Sequence, residues 1–248
     1  MQTNPDKGST YKIQAGDMLW QIAQRFQTSL QAIMAENPTL DENNLQAGQV
    51  IRIPPKSKFH TRQQEQESKN PAEFAQSLRD QFRMLWEQHV YWTRMVILGI
   101  VFGLPDTQAS INRLLRNPLG IAAILKKFFK APIVADFVKL FTEHLTIAAE
   151  LVKAAKAKDS TAAVDAERRW YENADQIAKI LASMNPFWSE QEWKYLLYNH
   201  LAMTKQEVVD LLTKNYVESI NEFDRIELEA LKMADEMTNG IVKLLEQI

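Results

Sequence analysis

The spacing of apolar side chains divides this chain into two kinds of segment. Up to about residue 55 the apolar runs are short. Tyr11-Lys12-Ile13 alternates like a strand, and Leu19, Ile22, Ala23 and Phe26 recur on one helical face. Leu30, Ile33 and Met34 form a second helical stripe, and Val50, Ile51 and Ile53 read as a returning strand. The order strand, helix, helix, strand predicts a two-stranded antiparallel sheet with both helices packed on one face, because a two-stranded ribbon alone is marginal in water. Gly16 and Gly48 fall where tight reversals need permissive backbone. Asp17 is placed to cap a helix that begins at Met18.

From residue 71 onward the helical period takes over. Long helices are predicted over 72–103, 133–158, 160–184, 189–213 and 216–246, with short ones over 107–116 and 119–130. The punctuation agrees. Asn70-Pro71-Ala72-Glu73 reads as a helix start, Leu104-Pro105-Asp106 and Asn117-Pro118 interrupt the pattern, and Asp159 and Ser160 separate two Ala-rich segments. Asn185-Pro186 stops one helix, and Ser189 to Glu192 is a capping box for the next. Short connections imply antiparallel neighbours, hence an up-and-down bundle. Residues 56–70, KSKFHTRQQEQESKN, are polar and Gln/Glu-rich and read as a flexible linker. The expected organisation is a small module over 9–55, a linker over 56–70 and an all-helical domain over 71–248.

The first segment also carries a family likeness. Tyr11-Lys12-Ile13, Gly16-Asp17-Met18-Leu19, Trp20-Gln21-Ile22-Ala23, Arg25-Phe26, Asn37-Pro38 and Leu45 through Gly48-Gln49-Val50-Ile51 to Ile53-Pro54 follow one another at a familiar spacing. Residues 11–54 resemble a LysM module, a carbohydrate-binding domain for N-acetylglucosamine polymers such as peptidoglycan and chitin. The fold class this implies is α+β: a small βααβ LysM module followed by an all-α up-and-down helical bundle. In such modules the sugar lies in a shallow groove between two loops. The matching positions are Gly16, Asp17, Met18 and Leu19 in one loop and Asn37, Pro38, Thr39 and Leu40 in the other. Met18 stands where the family usually has Thr or Ser. One copy is found, and single modules usually bind weakly unless a second contact adds avidity. The helical part loosely resembles uncharacterised helical proteins of spore-forming Firmicutes, a likeness that carries no activity with it.

Composition trims the remaining options. A net charge of −2 gives no global case for nucleic-acid binding. Without cysteine there are no disulfides and no thiolate-ligated metals. The start MQTNPDKGST is not a signal peptide, so the chain is expected to reach the envelope without classical secretion or after removal of a leader. The longest apolar run, Met95 to Leu104, is ten residues, which fits a buried helix and not a membrane span. Lys126, Lys127 and Lys130 with Phe128 and Phe129 read as a bundle-capping segment in preference to a membrane-surface contact. Trp170-Tyr171, Phe187-Trp188 and Trp193 read as core packing.

The chemistry-bearing residues of the bundle are its histidines. His60 lies in the linker, whereas His89, His144 and His200 sit near the middle of three long helices on their apolar faces. Midpoints of antiparallel helices share a level, so three imidazoles are expected to converge in the core. Glu172, Asp175, Glu207 and Glu227 are carboxylates expected near that level. His and carboxylate from facing helices is how bundles hold a divalent metal such as Fe, Mn or Zn. The competing reading is a structural network in which neutral histidines bond to Thr93, Thr204, Tyr171 or Tyr198. No P-loop, dinucleotide fingerprint, His-Glu-x-x-His or nucleophile elbow occurs. The residues point to a glycan-binding protein of the cell wall or spore envelope, with a bundle for a protein partner or self-association. The alternatives are a wall-tethered metalloprotein and, with less support, a wall hydrolase.

Overall fold

The computed structural model describes residues 9–14, 17, 19–26, 28, 30–40, 45–54 and 71–247. The predicted linker over 56–70, including His60, and the Asn70 cap lie outside the described residues. The chain separates into two compact units, divided between Phe74 and Ala75.

In the first unit, strand β1 (Ser9–Lys12) pairs antiparallel with β2 (Val50–Ile53), Tyr11 opposite Ile51 and Thr10 opposite Arg52. Between them run α1 (Leu19–Arg25) and α2 (Leu30–Glu36). The core is the one the pattern predicts: Ile13, Leu19, Ile22, Ala23, Ile33, Leu40, Ile51 and Ile53 are buried, with Tyr11, Phe26, Met34 and Leu45 against them. Strand alternation sends Ile51 and Ile53 inward and Val50 outward. Gly48 reverses the chain into β2 at φ 93°, a backbone state that a side chain would strain.

The second unit is helical: α3 (Pro71–Phe102), α4 (Thr107–Leu114), α5 (Asn117–Leu125), α6 (Ala131–Ala157), α7 (Ser160–Met184), α8 (Glu190–Leu212) and α9 (Tyr216–Leu245). α6 packs on α7, α7 on α8 and α8 on α9, as short connections require. The cap expected at Ser189 is made, accepting from the Glu192 N–H, and Asp159, read from the sequence only as a separator, caps α7 by accepting from the Ala162 N–H. Prediction overran at both short helices, the one expected over 107–116 ending at Leu114. The helix expected over 119–130 starts at Asn117, with Pro118 in its first turn, and ends at Leu125. Proline is tolerated there because that N–H has no helical partner. The next helix, α6, likewise begins with a proline in its first turn and is preceded by an extended Lys130.

One side of α5 caps the bundle. It packs on α6, the Asn117 amide donates to the Leu85 carbonyl, and Phe129 packs on Trp188. Trp170, Trp188 and Trp193 are buried, as expected of core aromatics. A large apolar cluster, including Val96, Ile97, Leu145, Val152 and Val208, joins α3, α6 and α8. Among the described residues, no helix is long and apolar enough to cross a membrane.

Candidate functional site

The loop after β1 is closed by Asp17. Its Oδ2 accepts from the Gln14 N–H and the Tyr11 hydroxyl, each at 2.7 Å. These bonds hold the Asp17 carboxyl below its usual range, the Gln14 N–H having the larger effect. The same bond pushes the Tyr11 hydroxyl up. Arg25 completes the cluster, donating to the Tyr11 hydroxyl at 2.6 Å and lying 3.9 Å from Asp17. The helix expected to begin at Met18 begins at Leu19, and these bonds of Asp17 run back to the strand exit. Gly16 and Met18 lie outside the described residues.

The second loop is organised by Asn37. Its Nδ2 donates to the Ile33 carbonyl, one of the last orphan carbonyls of α2, and to the Arg52 carbonyl. Its Oδ1 accepts from the Arg52 N–H. The side-chain amide therefore acts as a one-residue strand on the outer edge of β2, satisfying groups that an open sheet edge leaves bare. Pro38 and Thr39 follow at the surface. Leu19 and Leu40 were expected to line the groove, but they are 2% and 5% exposed and belong to the core. The Leu40 N–H is itself taken by the Asn37 carbonyl at 2.9 Å. The polar positions hold the two loops in shape, and the exposed backbone and Thr39 are left to face solvent.

In the bundle the three histidines do converge. His89, His144 and His200 are at most 3% exposed. The His89 and His200 rings lie 5.6 Å apart, His89 packs on Trp86 and Phe141, and His144 packs on Phe141 and Trp170. Burial disfavours the imidazolium, so His144 is pushed down to about 4 and His200 to about 3, while His89 falls well below 6.5. His144 Nδ1 meets Asn173 Oδ1 at 2.9 Å, and the Asn173 amide donates to the Leu140 carbonyl. Because Asn173 Oδ1 can only accept, the neutral His144 imidazole carries its N–H at Nδ1 and donates in this contact. The Nδ1 atoms of His89 and His200 and the indole N–H groups of Trp86 and Trp170 have no hydrogen-bond partner.

The expected carboxylates are elsewhere. Glu172 accepts from Arg168 on the surface, and Asp175 accepts from Tyr198 and pairs with Lys194. Glu227 faces Glu87, which burial and this neighbour push up. Only Glu207 is buried, and Arg94 takes it: the Arg94 guanidinium donates to Glu207 Oε1 and to the Ser219 carbonyl and lies over the Phe223 ring. Burial pushes the Glu207 carboxyl up to about 7 against the pull of Arg94. Helix midpoints set the level of these carboxylates, but helix rotation turns them to other faces. Among the described residues, no group of three or more His, Cys, Asp or Glu is arranged to hold a metal ion.

The expected histidine partners also change. Thr93 and Thr204 donate to the His89 and His200 backbone carbonyls, and Tyr171 and Tyr198 pack on each other. Asn173 and Arg94 were missed in the sequence. The available signal was a polar side chain on an apolar stripe, Asn173 standing in line with Ala166, Trp170 and Ile177.

Comparison with known proteins gives one match. Residues 11–54 match the LysM domain family, the span that forms the βααβ unit. No curated protein and no solved structure matches the chain.

Proposed function

We propose that this protein binds N-acetylglucosamine polymers of the bacterial cell wall or spore envelope through its N-terminal module. The match of residues 11–54 to the LysM domain, over a unit that folds as βααβ, carries this reading. The groove lies between the loop closed by Asp17 and the loop organised by Asn37, with the exposed Pro38-Thr39 segment as its rim. Cosedimentation of the full chain with insoluble chitin and with purified peptidoglycan tests it. The full chain is expected to pellet with at least one polymer and to be released by a soluble chitin oligosaccharide. Thr39→Arg is expected to weaken retention about tenfold by filling the groove. A chain that stays in the supernatant with both polymers would sink the glycan reading.

The bundle adds an interaction surface for a protein partner or a second copy. Phe102 and Tyr216 are each 48% exposed with rings 6.2 Å apart, and Val217 and Ile220 beside them are 70% and 54% exposed. Such a cluster at one end of a bundle favours association. Light scattering over a hundredfold concentration range separates self-association from a monomer that needs another partner.

A second reading, a metal held at the histidine layer, is favoured by the unpartnered Nδ1 atoms of His89 and His200. Glu172, Asp175, Glu207 and Glu227 take no part in it. Elemental analysis of the full chain beside His200→Ala decides this: near-stoichiometric metal lost in the variant supports it, and a metal-free wild type rejects it.

A further inference from the structure

We infer that the bundle core contains a binding site for a small, uncharged, apolar molecule. The site is a cavity of about 140 Å³ between α3, α6, α7 and α8. Protein interiors contain few voids larger than a water molecule. An engineered apolar cavity of about 150 Å³ stays dry and takes up benzene or xenon. The volume here therefore fits a ligand of roughly six to eight heavy atoms on the same scale.

The space exists because of small side chains. Ala149 and Ala155 on α6 and Ala163 on α7 stand where larger apolar residues would close it, opposite Val96 and Val208. One end abuts the histidine layer. Thr93 and Thr204, one turn beyond His89 and His200, line the cavity, as does Trp170, which packs on His144 at 5.3 Å.

The polar groups on the lining set the ligand class. The hydroxyl protons of Thr93 and Thr204 are committed to backbone carbonyls. Lys205 is committed to Glu167 at 2.5 Å, the two side chains 46% and 31% exposed, so the pair stands at the rim. An anionic head group finds no uncommitted cation among these lining groups, and the Trp170 indole N–H, which has no partner, is a neutral donor that does not offset a charge, whereas a neutral apolar molecule needs no counter-charge.

Toluene is the probe, with benzoate as its charged counterpart, both added to the full chain. Toluene is expected to raise the bundle's Tm by about 5 °C. It should also shift the methyl resonances of Val96, Val152 and Val208, and benzoate should bind at least tenfold more weakly. Ala149→Leu is expected to raise Tm without ligand and to abolish the toluene effect. If that variant does not fold, Ala155→Val carries the same arm and should weaken toluene at least tenfold. No shift in the wild type overturns the inference, as does an equal shift in a folded cavity-filling variant. Benzoate binding as tight as toluene overturns the ligand class.

Discussion

In the N-terminal module the decisive polar side chains stand at the edge of the core, and in the bundle they stand in its middle. Asp17 and Asn37 make short-range bonds to nearby backbone and keep contact with water. His89, His144, His200, Asn173 and Glu207 are surrounded by protein; His144 meets Asn173 and Glu207 meets Arg94 across helices, while the Nδ1 atoms of His89 and His200 have no partner. The difference teaches where function can be read. A rim residue sets the shape of a loop that meets a ligand, and its cost is small because water covers any loss. A core residue pays desolvation in full, so each one must be matched, neutralised or left beside a void.

The largest effect that would sharpen this contrast is expected at Arg94. Arg94→Ala leaves Glu207 buried beside no cation and should destabilise the bundle by about 3–5 kcal/mol. Arg94→Met with Glu207→Leu should recover most of that, because the burial penalty then disappears for both. Denaturant titration of the two variants measures it. Full loss in the double variant would break the account.

Acid should separate the two units next. The folded bundle keeps His144 neutral down to about 4, while the unfolded chain protonates near 6.5. The unfolded state thus binds more protons between those values, and stability falls as pH drops through that window. His144 alone accounts for on the order of 3 kcal/mol by pH 4, and His89 and His200 shift in the same direction. Asp17 has the opposite starting point: its carboxyl is lowered from 3.8, so its contribution persists until the pH falls below that value. Far-UV circular dichroism should therefore show the bundle melting at a pH where the Arg52 amide of the module is still protected from exchange.

Glycines test packing in the bundle. A Cβ at Gly240 would stand 2.0 Å from the Trp188 indole nitrogen, which donates to the Glu236 carbonyl. Gly240→Ala should cost about 3 kcal/mol and lower Tm by about 10 °C. At Gly120 the nearest atom is the Leu85 Cδ2 at 2.7 Å, the free end of a side chain. Gly120→Ala should stay within about 0.5 kcal/mol of wild type, since the gain in helix propensity offsets the Leu85 adjustment. Equal effects at both sites in calorimetry would contradict the packing described.

In the module the expected effect is smaller than at Arg94, His144 or Gly240. Asn37→Ala removes three hydrogen bonds that hold the second loop to β2, at a cost of about 1–2 kcal/mol because water replaces part of them. Faster hydrogen exchange at the Arg52 amide, with bundle amides unchanged, is the measurement. An unchanged Arg52 amide would mean that the loop is held some other way.

Sequence alone determined the elements. The alternation at Ile51 and Ile53, the stripe Leu19-Ile22-Ala23 and the caps at Asp159 and Ser189 are local, and local sterics and backbone hydrogen bonds decide them within a few residues. The first loop of the module was legible for the same reason, since Asp17 bonds Gln14 and Tyr11, whereas the second is tied through Asn37 to Arg52 on the returning strand. The convergence of His89, His144 and His200 was legible too, because helix length and short connections fix the level of each midpoint. What only the tertiary structure decided is the rotation of each helix about its axis and the packing that follows. That rotation gave Glu207 to Arg94, turned Glu172 and Asp175 to the surface and brought Asn173 to His144. It also left a void beside Ala149 and Ala155 that no spacing pattern foretells, because a cavity is set by the summed shapes of side chains from four helices.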